Sequence, residues 1–443
     1  MRYEASGDPA LYRAHLQTLS QRYSSALAAT GYDAVLIGAG ILQNRFLDDQ
    51  AIAFRSNPQL LQWLPLAEEP GAMLLFRPGI PPLTVVIRTK DYWHQAPPLP
   101  GPPWSEAIEL RIAADGKAAV AALETLPGRL ALLGPADHWQ AFDIQGDVNP
   151  PALIHWLHYQ RAVKTEFEVA CLRTASLASA AGHRAAGKAF AGGETEFGIL
   201  LAFLAGAGQT ADELPYPAIV AGDAHAAVLH YQHYERLSAP GGSLLIDAGA
   251  GHLGYAADVT RTHARASDGP FAGLLQDMDH LQQSLCQAVR PGVPFADLHH
   301  AAHEGIARVL HGQKLVRASA DALLETGVTR LFFPHGLGHL LGLQVHDVGG
   351  HQAGPGGDSL PAPAAYPKLR LLRALEPGFT LTIEPGLYFI DSLLGELRRH
   401  ALASDVNWAA IDELRPRGGI RIEDNLLVTA DGSENLTRAA FAA

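Results

Sequence analysis

The apolar residues of this chain follow a different pattern in its first third than in the remainder. From residue 12 to residue 149, short apolar runs alternate with segments of helical periodicity, which is typical of an α/β domain. Three of these runs have the length and composition of β-strands: 34–38, 72–76 and 83–87. The prolines at 150 and 151 then interrupt the pattern and mark a boundary. We therefore predict a smaller α/β N-terminal domain over residues 1–155.

The remaining residues, 156–443, are predicted to form a second domain of the α+β class. It opens with a helical pattern at 165–190, in which Thr165 and Glu168 have the spacing of a capping box. Helical periodicity also covers 271–290 and 295–311, and short β-prone runs separated by Gly and Pro occur beyond Tyr216. The apolar run 197–208 is too short to cross a bilayer and is predicted to be a core helix.

Two later regions share a layout in which extended runs each carry one acid. The first region, 244–262, contains two runs joined by a glycine-rich turn, and the second combines 381–390 with 419–428. We interpret them as two related β-hairpins whose acids converge on one sheet. The acids are Asp247, Asp258, Glu384 and Glu423.

These acids stand in apolar or glycine-rich surroundings, where an unpaired carboxylate is expensive to desolvate. A single such acid is more often a turn or capping residue than a ligand. Four of them, accompanied by Pro-His-Gly-Leu-Gly-His at 334–339, are hard to explain as independent accidents. Oxygen ligands with one imidazole suit manganese, and two ions about 3.5–4 Å apart that share a hydroxide are a known hydrolytic arrangement. The residues therefore predict a buried two-metal site for amide hydrolysis.

The segment 334–339 contains two candidate imidazole ligands, His335 and His339. Gly336 stands where the zinc motif HExxH has its Glu, so that motif is absent. The nearby glycines disfavour a regular helix. The spacing alone leaves open which histidine is the ligand and which one supports it.

A competing motif, Gly249-x-Gly251-x-x-Gly254, has the spacing of a dinucleotide-binding loop. Such a loop should open directly into a helix, whereas residues 255–262 are β-prone. We therefore expect these glycines to form the turn of a hairpin.

Composition narrows the classes of function. The 443 residues include 33 basic and 45 acidic side chains, with a formal net charge of -12 and no basic block, so nucleic acid is not expected as a partner. The two cysteines, Cys171 and Cys286, lie outside any CxxC pattern and support neither a disulfide framework nor a thiolate zinc site. The first residues have no apolar signal segment. We expect a cytoplasmic protein with no membrane partner.

Around the four acids and the two candidate histidines, the chain resembles the pita-bread metallopeptidases, and most closely the bacterial Xaa-Pro dipeptidases, or prolidases. The resemblance rests on four motifs: Asp-x10-Asp-x-Thr-Arg-Thr from 247, Pro-His-Gly-Leu-Gly-His from 334, Thr-Ile-Glu-Pro-Gly from 382 and Gly-Ile-Arg-Ile-Glu-Asp from 419. It implies a C-terminal pita-bread catalytic domain over 156–443. It also implies two divalent ions, most often Mn²⁺, bridged by Asp258 and Glu423. The implied ligands are Asp247, Asp258, His339, Glu384 and Glu423.

The resemblance also implies roles for residues around the metals. Glu384 would handle the proton of the attacking water, and His346 would approach the substrate amide and stabilise the intermediate. Arg370 would lie near the proline carboxylate, with Arg373 as the alternative. Trp93, in the Asp-Tyr-Trp-His sequence at 91–94, would close the pocket from the neighbouring subunit of a homodimer. The implied substrate-binding residues are Tyr216, His230, His335, Arg370 and Trp93.

Prolidases cleave the imide bond before a C-terminal proline, a bond that lacks an N–H. The resemblance therefore implies hydrolysis of Xaa-Pro dipeptides, with a side activity on organophosphorus esters or fluorides like that of the related organophosphorus acid anhydrolases. An aminopeptidase P, acting on longer Xaa-Pro peptides, has the same ligands and stays an alternative. A catalytically silent binding protein or a creatinase-type hydrolase of this fold should lack part of the ligand set, which is complete here.

Overall fold

A computed structural model of the chain describes residues 9–443 except 90, 91, 94, 96, 97, 102, 124, 125 and 127. The chain separates into two compact units. The first ends at Cys171 and also includes Gln352–Asp358, and the second contains Leu172–His351 and Ser359–Ala443.

The first unit is built on one mixed sheet flanked by helices. Its helices are α1 (Pro9–Thr30), α2 (Pro58–Leu61), α3 (Trp104–Ala107), α4 (Gly116–Ala122), α5 (Ala136–Phe142) and α6 (Pro151–Arg161). Its strands are β1 (Ala34–Gly38), β2 (Met73–Arg77), β3 (Ile80–Ile87), β4 (Glu109–Ala113), β5 (Leu130–Leu133) and β6 (Asp147–Val148). The strand order is β4-β3-β2-β1-β5-β6. The boundary expected between residues 155 and 156 falls inside α6 and stays a prediction.

The strand β1 lies in the middle of this sheet, parallel to β5 and antiparallel to β2. All of its residues are buried, as expected for a strand that is covered on both faces. Leu36, Leu75 and Leu132, from three neighbouring strands, belong to one apolar cluster with Trp139 of α5. The α/β character predicted for this part of the chain is confirmed.

The second unit mixes helices with several small sheets. Its helices are α7 (Glu166–Gly192), α8 (Glu196–Ala207), α9 (Pro270–Ala288), α10 (Phe295–Gly312), α11 (Ala320–Glu325), α12 (Thr329–Phe332), α13 (Asp391–Leu397), α14 (Trp408–Leu414) and α15 (Leu436–Ala442), of which α7 begins shortly before the unit does. Short 3₁₀ helices cover Asp223–Ala227, Ala403–Asp405 and Arg415–Arg417. The strands are β7 (Ile219–Gly222), β8 (Ser243–Asp247), β9 (Gly251–His252), β10 (Tyr255–Ala256), β11 (Thr260–Ala264), β12 (Thr380–Ile383), β13 (Gly386–Tyr388), β14 (Gly419–Arg421), β15 (Asp424–Val428) and β16 (Ser433–Asn435).

The predicted helices of this unit are confirmed. At the start of α7, Thr165 N donates to Glu168 Oε2 over 2.8 Å and Glu168 N donates to Thr165 Oγ1 over 3.4 Å, which are the two bonds of a capping box. The run 197–208 lies in α8, and the other two predicted segments form α9 and α10. No helix within the described residues is long and apolar enough to cross a membrane.

The first predicted hairpin forms from β8 and β11, which pair antiparallel with Asp247 opposite Thr260. The glycine-rich segment between them contains the smaller hairpin of β9 and β10. Its two turn residues, Leu253 and Gly254, both have positive φ, as a tight hairpin turn requires. A strand rather than a helix follows these glycines, so they do not form a dinucleotide-binding loop.

The two runs of the second predicted hairpin do pair antiparallel and in one register, but the single sheet that was expected to carry all four acids is wrong. Strand β12 pairs with β15, and β13 pairs with β14, in separate sheets. Between them lies Pro385, which has no N–H to donate and therefore interrupts the ladder. Glu384 and Glu423 lie at this interruption, and Glu423 forms an isolated bridge with Thr260 of β11 instead. The acids thus meet where sheets adjoin.

Candidate metal centre

Three buried side chains from distant parts of the sequence meet in the second unit. One candidate ligand atom from each of Asp258, His339 and Glu423 lies within 4.8 Å of the other two. The His339 Nε2 atom is 3.4 Å from Asp258 Oδ2. Two carboxylates and one imidazole at these separations form a donor set for a divalent cation.

The other two predicted ligands lie beside this group. Glu384 Oε1 is 3.8 Å from His339 Nε2. Asp247, at the end of β8, accepts a hydrogen bond at Oδ1 from the Tyr216 hydroxyl over 2.8 Å and one at Oδ2 from Arg421 Nη2 over 2.6 Å. Burial raises the pKa of Asp247, and the nearby charge of Asp258 adds to this rise while Arg421 opposes it. The structure therefore brings all five residues into one region.

Threonines and a glycine of the local sequence hold these side chains in place. Thr260 Oγ1 donates to Glu423 Oε2 over 2.7 Å, and Glu423 N donates to the Thr260 carbonyl over 3.0 Å. Thr382 N donates to the His339 carbonyl over 2.9 Å, and His339 N donates to Thr382 Oγ1 over 3.2 Å. A Cβ atom on Gly338 would lie 2.0 Å from the Thr382 carbonyl oxygen, so a residue without a side chain is required there.

Burial and the crowding of carboxylates together set the electrostatics of the site. Burial, followed by the charges of Asp258, Glu384 and Asp247, raises the pKa of Glu423 well above its usual range. Burial likewise raises the pKa of Glu384 to about 7. Burial lowers the pKa of His339, but its hydrogen bond to Asp258 and the nearby carboxylates outweigh that effect and raise it. Divalent cations would offset this mutual repulsion, so the donor set and its charge fit a metal centre.

His335 and His339, which spacing alone did not separate, have different surroundings. His335 Nδ1 donates to the Gly336 carbonyl over 2.8 Å, and its Nε2 is 2.8 Å from the Tyr388 hydroxyl. Its Nδ1 atom is also 3.8 Å from Glu384 Oε2. The structure therefore groups His339 with the acids and places His335 next to Glu384.

His346 lies directly against the imidazole of His339, with the ring centroids 4.4 Å apart and the planes at 87°. Burial, followed by the charges of His339, Arg370 and His230, lowers the pKa of His346 to about 4, against the opposing charge of Asp258. Both Arg370 and His230 are therefore close to His346, and all three side chains are exposed to solvent.

Arg373, the alternative to Arg370 for binding the proline carboxylate, is engaged in contacts within the protein. Its guanidinium donates to Glu376 Oε1 over 2.6 Å and lies over the ring of Phe379. The Arg373 side chain is only 4% exposed, so it is not available to a ligand. Arg370 is the arginine of this segment that faces solvent near His346.

Comparison with known proteins decides the family. The model of metallopeptidase family M24 matches residues 170–430, and the model of the Xaa-Pro dipeptidase N-terminal domain matches residues 10–159. The chain belongs to metallopeptidase family M24. It is a hydrolase of the metallopeptidase class, and its family implies divalent metal ions.

Relatives of this M24 peptidase match it from end to end. Xaa-Pro dipeptidases of Stenotrophomonas maltophilia strain K279a and Xanthomonas campestris strain B100 are 44% and 43% identical over 438 and 434 residues, with 98% of both chains covered in each case. The resemblance to bacterial prolidases is confirmed.

Solved structures show the same fold. An aminopeptidase from Pseudomonas aeruginosa has a TM-score of 0.72 at 22% identity, covering 98% of each chain. Zinc-substituted Escherichia coli aminopeptidase P has a TM-score of 0.70 at 23% identity, covering 95% of each. At such identities the likeness shows the fold alone. The predicted pita-bread fold of the M24 peptidase, with its N-terminal domain, is confirmed.

Sequence reasoning gave no role to Arg421 or Tyr388 of this M24 peptidase. Arg421, 5% exposed, donates from Nη2 to Asp247 and from Nη1 to the Tyr388 hydroxyl, the latter over 2.9 Å. Tyr388 in turn contacts His335. The signal in the sequence was a charged residue between two isoleucines, Ile420 and Ile422, because a buried cation needs a partner.

Trp93 belongs to the first unit of the M24 peptidase. Its ring is 75% exposed and packs on Tyr92 with the centroids 4.7 Å apart. Asp91 and His94 of the same sequence motif lie outside the described residues. The contribution of Trp93 to a substrate pocket stays a prediction.

Proposed function

We propose that the protein is a manganese-dependent dipeptidase that hydrolyses the imide bond of Xaa-Pro dipeptides. The observation that carries this proposal is the convergence of buried Asp258, His339 and Glu423, with Asp247 and Glu384 beside them. Two of the relatives that share this sequence over nearly its whole length are Xaa-Pro dipeptidases.

Five residues would hold the two divalent ions: Asp247, Asp258, His339, Glu384 and Glu423. Asp258 and Glu423, which the resemblance to prolidases implies as ligands shared by both ions, are buried and close to each other and to His339. When bound, two such ions lower the pKa of a water molecule and polarise the scissile carbonyl.

The side chains around the ions have separate tasks in this proposal. Glu384 accepts the proton of the attacking water, because its carboxylate borders both His339 and His335 and reaches the centre of the site. His346, exposed and packed against His339, donates a hydrogen bond to the substrate carbonyl as negative charge develops there.

Recognition of the proline would come from the exposed side of the site. Arg370 pairs with the proline carboxylate, because guanidinium binds carboxylate through two parallel hydrogen bonds. His230 and His335 contact the peptide, and Tyr216, held by its bond to Asp247, lines the pocket. Trp93 is proposed to close the pocket from the neighbouring subunit of a homodimer. The domain boundary at 155 and 156, the cytoplasmic location and the organophosphorus side activity also stay proposals drawn from the sequence.

The test is a substrate ladder with chelator-treated protein. We expect Ala-Pro to be cleaved only after manganese is added, Ala-Pro-Ala to resist cleavage, and Glu384→Gln to abolish turnover. Glu413→Gln, an exposed glutamate of α14, is the matched control and should retain wild-type rates. Cleavage of both peptides would move the assignment to aminopeptidase P. Absence of cleavage with every divalent ion would overturn the peptidase proposal.

A further inference from the structure

Asp258 lies in a gap between two strands. Strand β10 ends at Ala256 and β11 begins at Thr260, so Asp258 has no strand partner of its own. Its neighbours are satisfied by backbone groups: Ala257 N donates to the Ala250 carbonyl over 2.9 Å, and Val259 accepts from Ala248 N over 3.0 Å. The backbone of Asp258, buried among them, needs another source of hydrogen bonds.

A side chain supplies both bonds. Asn425 Oδ1 accepts a hydrogen bond from Asp258 N over 3.0 Å, and Asn425 Nδ2 donates one to the Asp258 carbonyl. The amide therefore takes the place of a paired strand, because it offers an acceptor and a donor side by side. Asn425 is 1% exposed, so water does not substitute for either bond.

Asn425 is itself held in β15, which begins directly after Glu423. It pairs with Thr382 between β15 and β12, and its backbone N donates to Thr437 Oγ1 over 2.8 Å. We call the two hydrogen bonds between the Asn425 amide and the Asp258 main chain the clamp. Since Glu423 precedes Asn425 by two residues, the clamp ties the main chain of Asp258 to the segment that carries Glu423. Any shift of Asp258 relative to Glu423 would have to break these bonds.

We propose that Asn425 is a positioning residue of the metal centre, whose side-chain amide fixes the separation of Asp258 and Glu423 and thereby sets the affinity for divalent cations. The inference rests on the proposed function in that these two acids are taken as metal ligands. Asn425 does not touch a metal or substrate, and it acts through the main chain of Asp258.

Two variants separate the two bonds of the clamp. Asn425→Ala removes both bonds, whereas Asn425→Asp keeps an acceptor for Asp258 N and replaces the donor with an oxygen facing the Asp258 carbonyl. Loss of a residue that supports a ligand typically weakens metal binding by about 10- to 100-fold. We expect both variants to bind manganese more weakly by an amount in that range.

The chain offers a matched control. Asn149, in the first unit, clamps a single residue in the same way: its Oδ1 accepts from Gly134 N over 3.0 Å, and its Nδ2 donates to the Gly134 carbonyl over 2.8 Å. None of the five proposed metal ligands lies in that unit. Asn149→Ala should lower the melting temperature without changing manganese affinity.

The experiment is calorimetric titration of manganese into the metal-free full-length proteins, with melting temperatures recorded in parallel. Weaker manganese binding by Asn425→Asp and Asn425→Ala, with unchanged binding by Asn149→Ala, is the expected result. Unchanged affinity in a folded Asn425→Asp protein would overturn the inference while leaving the proposed function intact. A wild-type protein that binds no manganese would overturn the proposed function and this inference together.

Discussion

Arg421 donates a hydrogen bond from Nη2 to Asp247 Oδ2 over 2.6 Å, with the arginine side chain 6% exposed and the aspartate 13% exposed. A buried ion pair of this kind holds a carboxylate in place whether or not a metal is bound. Removing one partner leaves an uncompensated buried charge, which typically costs about 3–5 kcal/mol.

We predict that Arg421→Met lowers the melting temperature of the metal-free protein strongly and that manganese recovers part of the loss, because the cations then neutralise Asp247. Arg415→Met is the control, since Arg415 forms an exposed pair with Asp391. That variant should melt close to the wild type, as exposed pairs contribute little. An equal decrease in melting temperature in the two variants would contradict the role given to the buried pair.

Gly338→Ala should weaken metal binding without contacting any ligand. The added methyl group would lie 2.0 Å from the Thr382 carbonyl and would force the segment carrying His339 away from β12. Gly395→Ala is the matched change, because nothing lies within 4 Å of a Cβ atom at that helical position. Manganese titration of both variants checks the prediction, which fails if Gly338→Ala binds as tightly as Gly395→Ala.

Glu196 is expected to be a strong determinant of stability. Its carboxylate is 1% exposed and accepts bonds from Gly222 N and His225 Nδ1 at Oε1, each over 2.7 Å, and from Glu235 N at Oε2 over 2.6 Å. Glu196→Ala leaves the buried Gly222 N unsatisfied, at a typical cost of about 1–3 kcal/mol, and also removes the bonds to the partly exposed His225 and Glu235.

Urea denaturation would measure the change in the free energy of unfolding for Glu196→Ala. Glu194→Ala, an exposed glutamate two residues earlier, is the control and should unfold like the wild type. Similar midpoints for the two variants would show that the Glu196 bonds contribute nothing.

Because of the buried His183, we expect the free energy of unfolding to decrease in acid. Burial, together with the charges of Arg261 and His263, lowers its pKa to about 3, from an ordinary value of 6.5. As the pH falls from 6.5 towards 3, the unfolded chain binds a proton at this position before the folded protein does. This histidine therefore contributes stability above pH 6.5 that is progressively lost below it.

The non-titrating variant His183→Gln isolates this contribution. The glutamine amide retains a donor for the Ala248 carbonyl, which His183 Nε2 contacts at 2.9 Å. We expect its free energy of unfolding to fall less steeply than that of the wild type between pH 6.5 and 3. Parallel pH profiles for the two proteins would contradict the prediction.

Most of the fold was predictable because its signals are local. The buried strand β1 and the capping box of α7 follow from short runs of sequence. The arrangement of the acids was not predictable, because the interruption at Pro385 acts between strands that are distant in the chain. The partner of Arg421 also lies on another sheet, and spacing carries no information about such contacts.

The candidate site was predictable at the level of residue types. Buried acids in apolar runs indicated metal ligation, and the structure brings Asp258, His339 and Glu423 together. The choice between His335 and His339 depended on which imidazole faces Asp258, and the choice of Arg370 depended on the burial of Arg373. Both are properties of packing rather than of spacing.

The most direct test follows Ala-Pro hydrolysis while metal-free protein is titrated with manganese. The account predicts no turnover at the start and a plateau at two manganese ions per chain, as a two-metal site requires. Asp258→Asn should abolish the manganese-dependent turnover, whereas Asp412→Asn, which changes an exposed aspartate, should leave it unchanged. Turnover without added metal, or turnover by Asp258→Asn equal to that of the wild type, would contradict it.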